Sequence, residues 1–99
     1  MIIRIFTATA REGKEQAFTR FLLETALSVV KSQEGMVSAT VGLPHETTPR
    51  AFTMITRWRD LDSLKAFAGK EWQRPYIHPD ERDLIAEAAV SHYYDSAPS

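Results

Sequence analysis

Two stretches of this sequence alternate like β-strands yet are apolar on both faces, and nothing else in it constrains the fold as strongly. Ile2-Ile3-Arg4-Ile5-Phe6-Thr7-Ala8-Thr9 is dense in β-branched and aromatic residues. Successive strand side chains point to opposite faces, so Ile3 and Ile5 oppose Ile2 and Phe6. Arg50 to Trp58 repeats the pattern, with Phe52, Met54, Thr56 and Trp58 on one face and Ala51, Thr53, Ile55 and Arg57 on the other. A sheet covered by helices on one side only would leave one apolar set in water. An exposed apolar face of several hundred Å² signals a partner, and a homodimer joined sheet to sheet is the expected solution. At 99 residues the chain reads as one domain, residues 1–95, with a frayed tail over 96–99. A chain this short buries roughly 65% of its unfolded surface, so it folds alone but gains from burial against a copy of itself.

The remaining segments supply helices and two further strands. Gly13 closes a turn, and Lys14 to Lys31 has a helical period: Phe18, Phe21, Leu22, Thr25, Ala26 and Val29 share a face opposite Arg20, Glu24, Ser28 and Lys31. Leu23, Leu27 and Val30 form a second apolar flank, which predicts a helix buried on two sides. Gly35 ends the next turn, Met36 to Leu43 reads as a strand, and Pro44 and Pro49 bracket a polar loop. Asp60 suits the N-cap of a second helix carrying Leu61, Leu64 and Phe67, closed by Gly69. Pro79 suits the first position of a short third helix, where Asp80, Glu81 and Asp83 favour the dipole and read as a solvated first turn. Glu87 to Tyr94 reads as a last strand, although Ala86-Glu87-Ala88-Ala89 is also good helix sequence. The order β-α-β-β-α-β predicts an α+β domain, a four-stranded antiparallel sheet with helices on one face in the ferredoxin-like arrangement.

Charge and composition narrow the function. A formal charge of −1 gives no broad grip on nucleic acid or anionic membrane. The chain lacks the run of about 20 apolar residues that a membrane span needs. Cysteine is absent, which excludes disulfides, thiolate metal sites and a thiol nucleophile and makes a cytoplasmic chain the expectation. The RNA-recognition fold shares this element order, and Arg50-Ala51-Phe52-Thr53-Met54 echoes its first motif. Met54, however, stands where a stacking ring is needed, and no basic stripe accompanies it.

The opening Met1-Ile2-Ile3, the Gly13-Lys14 turn, Glu34-Gly35-Met36-Val37-Ser38 before the second strand, and Trp58-Arg59-Asp60 leading into the second helix together resemble the antibiotic-biosynthesis monooxygenase family. The resemblance covers about residues 1–94. It implies a dimeric α/β barrel of two ferredoxin-like chains. It also implies an oxygenase that converts a small aromatic phenol or quinol with O₂, without metal or flavin. Departures from the family accompany it. Thr56 stands where many quinol-oxidising members carry a carboxylate, and Phe67 and Trp72 fall where they often carry histidines. The haem-degrading branch needs an asparagine on the first strand, and this chain contains none.

Oxidation without a cofactor needs a base, donors for the developing anion and a dry apolar pocket. His92 on the last strand shares a face with Val90 and Tyr94 and is the first candidate base. His78 in the Pro75–Pro79 stretch is the second; a cap on the short helix is its structural alternative. His45 reads as a solvated loop residue. The histidines show no metal-ligand spacing. Trp58, Phe67, Trp72 and Tyr76 form an aromatic set suited to stacking a flat ring, or to a core. Arg57 and Arg4 are strand arginines suited to steadying an anion or to bridging a dimer. The alternative to catalysis is a ligand-binding or structural dimer of the same fold, and isomerisation through an enolate needs the same groups.

Overall fold

The computed structural model describes residues 1–96. Four strands, β1 (Ile2–Ala10), β2 (Met36–Gly42), β3 (Ala51–Trp58) and β4 (Ile85–Tyr94), form one antiparallel sheet in the order β2-β3-β1-β4. Helix α1 spans residues 15–31, helix α2 is Leu61–Ala68, and a short 3₁₀ helix covers Pro79–Leu84. This is the α+β ferredoxin-like fold that the element order predicts. The part of the expected tail beyond Ser96 lies outside the described residues.

Register decides which side chains meet. Arg4 lies between Thr56 and His92, Ile2 between Trp58 and Tyr94, and Phe6 between Met54 and Val90. These rows face the helices. Phe18, Phe21, Leu22 and Val30 of α1 close over Ala8, Phe52 and Met54. Trp58, Ile2 and Leu64 make a second cluster where α2 packs. The opposite rows, among them Ile3, Ile5 and Ile55, are only half-buried, and Tyr93 is exposed. The sheet therefore carries an uncovered apolar face.

Three local departures from expectation have physical causes. First, α1 contains a π-helical turn, Leu22–Ala26. Beyond it Val30 is buried in the core, while Val29, 38% exposed, stands at the rim of the space between sheet and helices and Leu23 is 46% exposed. The helix thus buries one side, with Leu27 half-buried at its margin. Second, β4 begins at Ile85 rather than Glu87, because a register shift at Thr9/Ala10 pairs Ala10 with Ile85. Pairing with β1 overrides the helix propensity of residues 86–89. Third, Glu81 is 4% exposed, not part of a solvated turn.

The caps follow sequence logic. Asp60 accepts from the Ser63 backbone N–H at 2.8 Å and from its hydroxyl at 2.7 Å. Gly35 has φ +83°, and a Cβ there would stand 2.1 Å from Ser63 Oγ. Glycine alone admits the α2 start so close to the α1–β2 turn.

Candidate active site

A cavity opens between the sheet and the helices. Its floor is Arg4 and Phe6 of β1 with Met54, Thr56 and Trp58 of β3. One wall is α1, through Phe21, Leu22, Ala26, Val29 and Val30. The other is Phe67 of α2 with Tyr76, His78 and Glu81. The π-helical turn sits in the first wall, where it sets which side chains face inward. The cavity's volume is about 60 Å³, and it is partly open to solvent.

The aromatic residues form a connected row. Trp58 and Phe67 stack with centroids 5.3 Å apart, and Phe67 lies 5.3 Å from Tyr76. Trp58 is fully buried, and its Nε1–H donates to Thr56 Oγ1 at 2.9 Å. Phe21 packs against the His78 ring at 5.5 Å. Trp72 is not part of this row. It packs edge-on to His92 at 5.0 Å, with the Lys65 ammonium 5.7 Å from its ring. Arg57 is remote from the cavity: it lies on the uncovered sheet face, ion-paired with Asp95.

Both candidate histidines have one ring nitrogen committed. His78 Nδ1 accepts from the Asp80 backbone N–H at 3.0 Å, capping the 3₁₀ helix. In the neutral tautomer that this bond selects the proton is on Nε2, and His78 lines the cavity. His92 Nε2 lies 3.0 Å from Arg4 Nη1. A guanidinium only donates, so His92 Nε2 accepts and its proton sits on Nδ1. Burial, followed by the Arg4 charge, holds the His92 pKa below the ordinary histidine value. His92 does not line the cavity and reaches it only through Arg4.

Glu81 completes the cap. Its Oε1 accepts from the His78 backbone N–H at 2.8 Å. Burial is the main cause that holds its carboxyl above the ordinary glutamate range, and the bond to His78 partly opposes it. Its second oxygen has no hydrogen-bond partner among the described residues. The cavity thus offers a hydrogen-bond donor at His78 and a carboxyl acceptor at Glu81 on one helical turn. The sequence reading missed Glu81. The signal that could have found it is the spacing His78-x-x-Glu81, which places an acid at the capping-box position. Among the described residues no cluster of His, Asp and Glu groups fit to hold a metal ion occurs, and no helix is long and apolar enough to cross a membrane.

Fold and cavity together define a class: a small ferredoxin-like α+β domain with an aromatic-walled cavity between sheet and helices. The chain belongs to the antibiotic biosynthesis monooxygenase family, which it matches over residues 1–78. Solved structures share the fold at low identity. A Pseudomonas aeruginosa protein is 22% identical with a TM-score of 0.74, covering 97% of this chain and 94% of its own. A Nitrosomonas europaea protein of unknown function is 15% identical with a TM-score of 0.76, covering 99% and 91%. SnoaB, a cofactor-independent oxygenase from Streptomyces nogalater, is 15% identical with a TM-score of 0.71, covering 98% and 94%. No curated protein matches the chain.

Proposed function

We propose that this chain is a monooxygenase that oxidises a small phenol or quinol with O₂ and needs neither metal nor flavin. The observation that carries the reading is the cavity, in which aromatic rings flank a buried carboxyl and an imidazole N–H. Membership of the monooxygenase family and the fold shared with a cofactor-independent oxygenase support it. The electron balance requires no outside reductant. A phenol and O₂ become a quinone and water, with one oxygen atom entering the ring and the substrate supplying all four electrons. The protein's task is to create the phenolate, hold it dry and admit O₂.

Glu81 takes the phenolic proton, since it lines the cavity with one carboxyl oxygen unbonded and its raised pKa makes it a stronger base than a solvated carboxylate. His78 Nε2–H donates to the oxygen on which charge develops. His92 positions Arg4 rather than touching substrate. A second copy of the chain covers Ile3, Ile5 and Ile55, giving the dimer that the apolar face requires.

The test is O₂ uptake with a panel of monocyclic phenols and hydroquinones. Loss of a general base typically lowers turnover by about 10²–10⁴-fold. Glu81→Gln is expected to fall in that range and His92→Ala much less. Turnover that survives Glu81→Gln and disappears in a folded His92→Ala variant would return the base to His92. Thr56, standing at the family's carboxylate position, favours the second reading, a ligand-binding dimer without turnover. Binding of a phenol with no O₂ uptake across the panel would establish it.

A further inference from the structure

Arg4 is the most unusual charge in the molecule. It sits in a central strand, is 4% exposed, and lines the cavity. Among the described residues no carboxylate pairs with it. Its three hydrogen bonds all go to neutral acceptors: Nη1 to the Trp72 carbonyl at 2.6 Å, Nη1 to His92 Nε2 at 3.0 Å, and Nη2 to the Arg74 carbonyl at 3.1 Å. Glu81 lines the same cavity, but neither group is among the charges that shift the other. Burial lowers the guanidinium pKa to about 10, so it remains a cation at neutral pH. A buried charge is costly without an opposite charge, and dipoles offset that cost only in part.

The pattern of used donors shows what is missing. A guanidinium has five N–H groups. The bonds above occupy both on Nη1 and one on Nη2. What remains is Nε–H and one Nη2–H. These belong to the neighbouring nitrogens along one edge of the planar fork, the pair that grips both oxygens of a carboxylate side-on. The cavity beyond is walled by Trp58, Phe67 and Phe21, which suits a flat ring. At about 60 Å³ the space is smaller than the ~150 Å³ that holds a benzene ring in an engineered apolar cavity. A single ring therefore seats partly in the mouth, beside the exposed Tyr76.

We infer that the cavity binds a monocyclic aromatic carboxylate, whose acid group pairs side-on with Arg4 and whose ring lies along Trp58 and Phe67. The inference rests on the cavity proposed for the oxidation and names its substrate class, a phenol that also carries a carboxylate. The acid end lies at Arg4, and the hydroxyl end turns toward Glu81 and His78. His92 and the carbonyls of Trp72 and Arg74 hold the guanidinium so that its free edge faces the ligand.

The experiment compares 4-hydroxybenzoate with 4-hydroxybenzamide, a neutral probe of nearly the same shape, by calorimetric or NMR titration of the full chain. The acid is expected to bind at least about tenfold tighter than the amide, since a bond to a charged partner exceeds one to a neutral partner by that order. Arg4→Lys keeps the charge but lacks the fork and is expected to lose most of that preference. Equal affinity for acid and amide overturns the inference, as does failure of both to bind. A preference that persists in folded Arg4→Lys moves the anion site elsewhere and overturns it too. If Arg4 only staples residues 72–74 to the sheet, its replacement lowers thermal stability with no acid preference to lose. If Arg4→Lys does not fold, the comparison of acid and amide on the native chain still decides. O₂ uptake with neutral hydroquinones separates the two claims. Uptake without acid preference leaves the oxidation and rejects the anion site, and acid preference without uptake on any phenol does the reverse.

Discussion

Replacing His78 by alanine and by serine separates its structural role from its chemical one. The alanine variant loses the Nδ1 bond from the Asp80 N–H and the ring contact with Phe21. A lost N-cap costs about 1 kcal/mol and an aromatic contact about another 1 kcal/mol. The bond from the His78 backbone N–H to Glu81 survives in both variants, because it uses no side-chain atom of residue 78. The expected loss for His78→Ala is therefore about 2 kcal/mol, or roughly 10 °C in Tm for a chain of this size. A serine hydroxyl replaces the cap but is too short to reach the cavity. His78→Ser is thus expected to recover about 1 kcal/mol relative to alanine while turning over no faster than alanine. Urea denaturation at one fixed protein concentration reads the first quantity, because a self-associating chain shifts its apparent stability with concentration. O₂ uptake reads the second. If the serine variant is no more stable than the alanine variant, the imidazole does not cap the 3₁₀ helix. The assignment of its proton to Nε2 then fails as well. If the serine variant retains native turnover, His78 is a cap and nothing more.

Three further outcomes are expected. The folded chain holds a proton on Glu81 above the ordinary glutamate pKa of 4.5. The associated stability is complete below that value and is lost as pH rises through the raised one, so denaturation at about pH 4 and pH 8 should show a larger decline for the native chain than for Glu81→Gln; equal declines would mean that this carboxyl is not strained by burial. Ile5→Glu on the uncovered sheet face should give single-chain mass by light scattering where the native chain gives twice that, with the cavity intact; a native chain that is monomeric at micromolar concentration would remove the dimer. Gly35→Ala should cost at least about 2 kcal/mol, since φ is +83° and the new Cβ meets Ser63, and a left-handed conformation alone costs about 1–2 kcal/mol.

The fold was legible because its signals are local and mutually consistent. Alternation in residues 2–9 and 51–58 identified the central strands and placed Phe52, Met54, Thr56 and Trp58 on one face, as the register shows. Asp60, Gly69 and Pro79 marked helix boundaries through side-chain chemistry that acts within a few residues. The π-helical turn left no such mark. A residue's helical phase beyond such a turn cannot be read from a fixed period of 3.6. The start of β4 was equally hidden, because pairing between Ala10 and Ile85 depends on residues 75 positions apart in the chain.

The site was legible to the extent that its residues are large and share a strand face or helix face. Of the aromatic set Trp58, Phe67, Trp72 and Tyr76, three come together in a row and Trp72 packs on His92 instead. Charge was harder to read, for a reason that Arg4, Arg57 and Glu81 make plain. Sequence shows which groups can ionise, but their roles follow from what the fold gives each one as a partner. Alternation put Arg4 and Arg57 on opposite faces of the sheet. Only the fold shows that Arg57 has an acid in Asp95 and that Arg4 has carbonyls and an imidazole. In the same way, Glu81 sits among Asp80, Arg82 and Asp83, where a charge run reads as solvated surface. The 3₁₀ turn brings its carboxyl back onto the His78 N–H and into the cavity while its neighbours stay in water. A buried cation without an acid and a buried carboxyl with one oxygen unbonded line the same cavity and do not act on each other, and on that pairing rests the two-ended ligand proposed above.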